Sequence, residues 1–184
     1  MKLLDAINIC LRANGDESIN ESTPLSQPAS KAQGVVERKR KELLENGYPF
    51  NTALLTLTPE TDGKVRVARS YLVHKWPKGI TYRVDPTDSS KWILWDIDDN
   101  DYVDVEVEDF EVHFDITDFQ NLPDTFARWV AHEAAIAYYG EVNPTAPIPQ
   151  RLISDALRAH SRFSATMPGF SLDDASGWTA LKGQ

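Results

Sequence analysis

The spacing of apolar residues changes twice along this 184-residue chain, and the two changes limit the folds that it can adopt. Up to about Asn51, apolar side chains recur at helical spacing, beginning with Leu3, Ile7 and Leu11. From Asn51 to residue 116 they alternate as in β-strands, and near Pro123 the helical spacing returns. Both ends of the chain are therefore predicted to be helical and the middle to form a sheet.

These changes predict an α+β fold with one part inserted into the other. Residues 1–50 and 117–184 are expected to form a helical bundle, and residues 51–116 a small antiparallel β region. The segments "PETDG" and "DPTDSS" separate the alternating runs, where turns between strands are expected. A hydrophobic fraction of 41% is sufficient for a folded core.

Four helices follow from the apolar spacing and from the residues that stop it. Asn14-Gly15 ends the first helix, and Asn46-Gly47 ends a second one that begins near Gln27. Pro123-Asp124 opens the third, which Gly140 ends. The fourth follows "NPTAPIPQ" and carries Leu152, Ile153, Ala156, Leu157 and Phe163.

The longest strand signal is "DYVDVEVEDFEVHFD", which begins at residue 101. Val103, Val105 and Val107 alternate with acidic residues and are predicted to share one face. The alternation then slips by one residue. A bulge or turn near Asp109 is needed for Phe110 and the apolar residues after it to continue that face.

The pair His132-Glu133 in the third helix matches half of the zinc-protease signature H-E-x-x-H. That signature requires a second histidine four residues after the first, so that both ligands share one helix face. Ile136 occupies the position, and His160 belongs to another predicted helix. We therefore interpret His132 and Glu133 as residues on the polar flank of an amphipathic helix.

The acidic run "DIDDND", from Asp96 to Asp101, resembles the start of a calcium-binding loop. Asp101 stands where such a loop needs glycine, and Val107 where it needs a bidentate glutamate. A solvated hairpin turn is the better interpretation. Since no other catalytic or cofactor motif was found, we predict no catalytic residue, no bound metal and no cofactor.

The net charge of −9 argues against a protein that wraps nucleic acid by neutralising phosphates. The basic run "ERKRKE" lies in the second helix with glutamates at three- and four-residue spacings, as on a solvated, salt-bridged helix face.

A single cysteine, Cys10, leaves no internal disulfide and suits a reducing compartment. Asp5 and Asn8 interrupt the first apolar run, so neither a signal peptide nor a membrane span is expected.

Two local patterns stand in a recognisable order along the chain. The first is the helix exit "NGYPFN", and the second is the helix entry formed by Leu122, Pro123, Phe126 and Trp129. Together with the opening helix and the antiparallel insert, they resemble the tail tubular protein A family over nearly the whole chain. Members of that family are head-to-tail adaptors of short-tailed bacteriophages.

The resemblance implies a structural virion protein and not an enzyme. It implies a homo-oligomer, a dodecameric ring that binds the portal protein and joins it to the tail nozzle, tubular protein B, with tail fibres as a further implied partner. DNA would pass through a central channel without specific binding. The implied location is the virion tail, after assembly in the host cytoplasm.

A second function from a different class remains open at this point. The acidic strand residues Glu106 and Glu108 could serve a tail-associated glycan or peptidoglycan hydrolase. Such an enzyme needs two carboxyl groups that face each other at roughly 5 to 10 Å. Loss of glycan cleavage on Glu106→Gln or Glu108→Gln would favour the hydrolase.

The last segment, "MPGFSLDDASGWTALKGQ", lacks helical spacing but carries large apolar residues. We predict that it orders against a neighbouring subunit or the portal. The candidate interface residues are Phe170, Leu172, Trp178 and Leu181.

Overall fold

A computed structural model describes residues 1–167. Within this range helices flank a set of short antiparallel strands, which confirms the predicted α+β fold. The helices are α1 (Leu3–Asn14), α2 (Gln27–Leu44), a 3-10 turn (Phe119–Asn121), α3 (Asp124–Val142) and α4 (Gln150–Thr166). The strands are β1 (Thr52–Leu57), β2 (Arg66–Ala68), β3 (Val73–Lys75), β4 (Ile80–Val84), β5 (Lys91–Asp96), β6 (Asp101–Tyr102) and β7 (Val107–His113).

The chain divides into two compact units. The helical unit comprises Met1–Arg40 and the chain from Asp118 onward, and the β unit comprises Lys41–Thr117. The first boundary therefore lies inside α2, about ten residues before the spacing changes at Asn51. The reason is that the end of α2 is hydrogen-bonded to residues next to the sheet.

In the helical unit, α3 packs against both α1 and α4. The helix entry that the sequence singled out supplies its core, since Leu122, Phe126 and Trp129 are all buried. Phe163 of α4 lies 5.2 Å from Phe126 and 5.4 Å from Trp129 between ring centroids. No helix within residues 1–167 has both the length and the apolar content needed to cross a membrane.

Hydrogen bonds fix the end of α1 against α3. Gly15 caps α1 in the left-handed conformation, as the Asn14-Gly15 stop predicts. The Tyr138 hydroxyl donates to Asp16 at 3.1 Å, and the Asn143 carboxamide donates to Asn14 at 2.7 Å. The residues on either side of the helix stop, Asn14 and Asp16, thus hold the end of α1 against α3.

The β unit contains two antiparallel sheets. One has the strand order β1-β7-β3, and the other has the order β2-β5-β4, with β6 also paired to β5. Their apolar faces meet in one buried cluster, on which half-buried aromatic rings pack. Its buried members are Val65, Val67, Leu94, Val103, Val107, Phe110 and Val112.

The bulge predicted near Asp109 is confirmed. Leu55 pairs with Phe110, whereas Leu57 pairs with Val107, so β7 has one residue more than β1 between these pairs. Asp109 takes up the extra residue with a φ of 52°. The slip returns Phe110 to the buried side, because bulged strands turn the following side chains to the opposite face.

One residue of that strand prediction is wrong. Val105 is 64% exposed, whereas Val103 and Val107 are buried. The cause is a break in the strand, since residues 103–106 belong to neither β6 nor β7. An alternating pattern cannot reveal such a break, because the residues within it still alternate.

A buried junction joins the end of α2 to β7 within the β unit. The Asn51 side chain accepts from the Tyr48 backbone N–H at 2.8 Å and donates to the carbonyls of Leu44 at 2.9 Å and Phe114 at 3.2 Å. Asn51 is 1% exposed, so its carboxamide depends on these backbone groups for its hydrogen bonds. The segment "NGYPFN" is thus a structural connector.

His113 fills the space beside Gly47 in the same junction. Its Nδ1 lies 3.0 Å from the Glu45 carbonyl oxygen, and its Nε2 lies 3.0 Å from Glu111 Oε1. A Cβ atom on Gly47 would lie 2.3 Å from His113 Cε1, and Gly47 has a φ of 74°. The position therefore requires glycine for its backbone and for the close approach of the imidazole.

We predict that Gly47→Ala destabilises the protein more than Gly63→Ala does. Both glycines have positive φ, but the alanine methyl at residue 63 meets no atom within 4 Å. Each substitution should cost about 1 kcal/mol for the left-handed backbone, and Gly47→Ala about 1–3 kcal/mol more for overpacking. Urea unfolding curves measure the difference; equal losses would show that His113 does not restrict this position.

Candidate functional site

His132 and Glu133 lie on α3 but turn to different surroundings. The half-buried imidazole of His132 lines a recess with Asp155 of α4. The Glu133 carboxylate accepts a hydrogen bond from Trp129 Nε1 at 3.2 Å. The two side chains are therefore not placed to share one metal-bound water, as the protease signature would require.

Neither candidate metal position of the sequence has a ligand cluster around it in residues 1–167, where no three His, Cys, Asp or Glu side chains are grouped to hold an ion. The "DIDDND" segment forms a hairpin turn in which Asp96 pairs with Asp101 across β5 and β6. Asp96 accepts from the backbone N–H groups of Asp98 and Asp99 at 2.8 and 3.1 Å. The hairpin interpretation is confirmed.

The recesses around His132 are lined by arginines from three helices. One recess, between α3 and α4, contains Arg128, Arg158 and Arg162. The other extends to α1 and contains Arg12 and Arg151. We call these five exposed residues the arginine face.

Carboxylates within the helical unit neutralise part of the arginine face. Arg128 Nε donates to Asp124 at 2.8 Å, and this partner raises the pKa of Arg128. Arg158 lies 3.6 Å from Asp155. Within residues 1–167, Arg12, Arg151 and Arg162 have no carboxylate within ion-pair distance. With respect to the described residues, these three exposed guanidinium groups therefore have hydrogen-bond donors that no carboxylate uses.

His132 lies between these charges. Burial lowers its pKa; the Asp155 carboxylate acts in the opposite direction, and Arg128 and Arg158 lower the pKa again. The imidazole is therefore neutral at neutral pH. The positive charge of this surface comes from the arginines, so it does not depend on pH near neutrality.

The negative charge of the chain is concentrated in the β unit. The β unit, residues 41–117, contains 8 Lys and Arg against 16 Asp and Glu, a net charge of −8. All other residues contain 11 basic and 12 acidic side chains, a net charge of −1. Nearly all of the net charge of −9 therefore lies in the β unit, and the helical unit is nearly neutral.

The acidic residues considered for a hydrolase are fully on the surface. Glu106 and Glu108 are both exposed, and Glu106 lies outside the strands. A catalytic carboxylic acid needs burial or a like-charged neighbour in a cleft to keep its proton at neutral pH. Because Glu106 and Glu108 are exposed, burial does not raise the affinity of their carboxyl groups for a proton.

The candidate interface residues of the last segment, Phe170, Leu172, Trp178 and Leu181, lie outside the described residues.

The sequence did not predict the arginine face, because its residues are far apart in the chain. A partial signal existed, since Arg151, Arg158 and Arg162 are spaced at seven and four residues and hence lie on one stripe of α4.

The chain is similar to known tail proteins. A family model described as "Tail tubular protein" matches residues 4–161. The "Tail tubular protein A" of Klebsiella phage KP34 is 29% identical over 181 residues, covering 93% of this chain and 95% of that protein. Both matches extend through the helical unit and the β unit.

We predict that the pKa of His132 lies below its ordinary value of about 6.5, and that Asp155→Asn lowers it further. The substitution removes the carboxylate that favours the imidazolium, while burial and the arginines remain. NMR titration of the imidazole C–H resonances measures both values.

His160 is the internal control for this titration. Burial lowers its pKa. Because Asp155→Asn leaves that burial in place, the pKa of His160 should change less than the pKa of His132. A His132 pKa that rises on Asp155→Asn would contradict the described electrostatics of the arginine face.

Proposed function

Because this chain belongs to the tail tubular protein family and is a structural protein of a phage tail, we propose that it forms a ring between the capsid portal and the tail nozzle. The ring is a homo-oligomer, a dodecamer, with a central channel through which DNA leaves the capsid. The observation that carries the proposal is the family match over residues 4–161, which includes both compact units.

The charge of the chain supports a conduit for DNA. A net charge of −9 per chain is multiplied in a ring, and a negative channel wall repels phosphate groups instead of holding them. A protein that gripped DNA by neutralising phosphates would slow its passage, since such binding is strong at low salt. Acidic subunits therefore suit transit without specific binding.

The proposed role requires no chemistry from the protein. Membership of a structural tail family implies a non-enzymatic role. The described part of the chain agrees with that role: His132 lies among arginines, and Glu106 and Glu108 are exposed on the surface. The proposed partners are the portal protein, the nozzle and, at the outside of the ring, tail fibres.

We assign attachment to the C-terminal arm, residues 168–184. Its apolar residues Phe170, Leu172, Trp178 and Leu181 would be buried by contact with a neighbouring subunit or the portal. Burial of one large aromatic side chain contributes roughly 2–3 kcal/mol. Repetition around a ring turns many weak contacts into a firm attachment through multivalency.

We predict that a chain ending at Met167 keeps its fold but forms rings or binds the portal less well. Circular dichroism and thermal unfolding measure the fold. Mass measurements of the purified chain, alone and mixed with the portal ring of the same phage, measure assembly. The full chain should add to the portal ring in a fixed stoichiometry.

A full-length chain with serine at the four apolar positions of the arm is the matched variant. It should show the same loss of assembly as the truncated chain, since only the apolar contacts are removed. If the truncated chain unfolds, the arm belongs to the core and this assignment is wrong. If the full chain binds no portal ring, the adaptor role is wrong.

A further inference from the structure

One segment of the β unit has a charge opposite to that of the arginine face. Residues 96–109, the acidic segment, contain eight Asp and Glu and no Lys or Arg. Seven of the eight are exposed, and Asp96 is half-buried. Two apolar side chains stand among them, with Ile97 58% exposed and Val105 64% exposed.

We infer that the arginine face binds the acidic segment of a neighbouring copy of this chain. This inference rests on the proposed ring and names the surfaces that close it. A contact between two different surfaces of identical subunits is head-to-tail, and such contacts generate rings when the rotation closes. A symmetric pairing of arginine faces would instead bring like charges together.

The chemistry of the arginine face favours carboxylates. Arg12, Arg151 and Arg162 have no carboxylate within ion-pair distance among residues 1–167, so their planar guanidinium groups are available for bidentate contacts. The half-buried Ile9 lines the recess that contains Arg12 and Arg151, where it offers apolar surface to Ile97 or Val105. Interfaces that combine arginine with apolar contacts are typical of protein partners.

A protein partner fits better than DNA. Phosphate binding would have to overcome the charge of the whole chain, −9, and in a ring that charge is repeated in every subunit. A second copy of the chain presents eight acidic residues in one segment. It is also available wherever the chain itself is present.

Charge reversal on each side tests the inference. In the first variant, Arg151→Glu and Arg162→Glu reverse two residues of the face. In the second, Asp104→Lys and Glu106→Lys reverse two exposed residues of the acidic segment that lie outside the strands. The control, Lys41→Glu with Lys78→Glu, makes the same charge change as the first variant at exposed residues of the β unit that belong neither to the arginine face nor to the acidic segment.

Sedimentation velocity over a range of protein concentrations measures assembly, and thermal unfolding verifies that each variant is folded. Each reversal should raise the concentration needed for assembly by on the order of ten-fold or more. The control should leave that concentration within a factor of about three. A chain that carries all four reversals, and an equimolar mixture of the two variants, should both regain assembly.

Each other outcome overturns a defined part of the argument. If the wild-type chain assembles and neither reversal matters, the arginine face is not the subunit contact, although the ring stands. If reversal of the face weakens binding of a short DNA duplex without changing assembly, the face binds DNA. Loss of assembly by the first variant without recovery in the mixture shows that the face binds a surface of the neighbouring copy other than the acidic segment, and the inference is wrong. A wild-type chain that stays monomeric at every concentration contradicts the ring and the proposed function as well.

Discussion

The β unit depends on the buried carboxamide of Asn51, which forms hydrogen bonds with backbone groups of Leu44, Tyr48 and Phe114. It holds the end of α2 and the residue after β7 together, while His113 occupies the space beside Gly47. Loss of such a side chain leaves buried polar groups unpaired, at a cost of about 1–3 kcal/mol for each group. The pairing of β1 with β7 begins at Thr52 and His113, directly beside Asn51, so this sheet starts at the junction.

Much of the fold could be predicted because the deciding signals are local. Helix stops at Gly15 and Gly47 and the slip in alternation at Asp109 each depend on a few neighbouring residues, and the structure has a left-handed residue at each position. Val105 was misplaced, because alternation continues through a break in the strand. The arginine face could not be predicted as a whole, because it forms only when α1, α3 and α4 pack together.

The charge distribution links the fold to the function. The acidity of the chain suggests a uniformly negative protein, yet nearly all of the excess lies in the β unit, residues 41–117. The helical unit carries an exposed group of arginines on three packed helices. A subunit with complementary surfaces on its two units is suited to repeat itself around an axis, and its net negative charge is suited to a passage for DNA.

We propose that identical copies of this chain form a closed ring. Negative-stain electron microscopy of the purified full-length protein would show such a ring. We expect end-on views with one closed ring of equal subunits around a central opening, and the same ring stacked on the portal when the two are mixed. Single compact particles of one subunit, or open filaments without rings at any concentration, would contradict it.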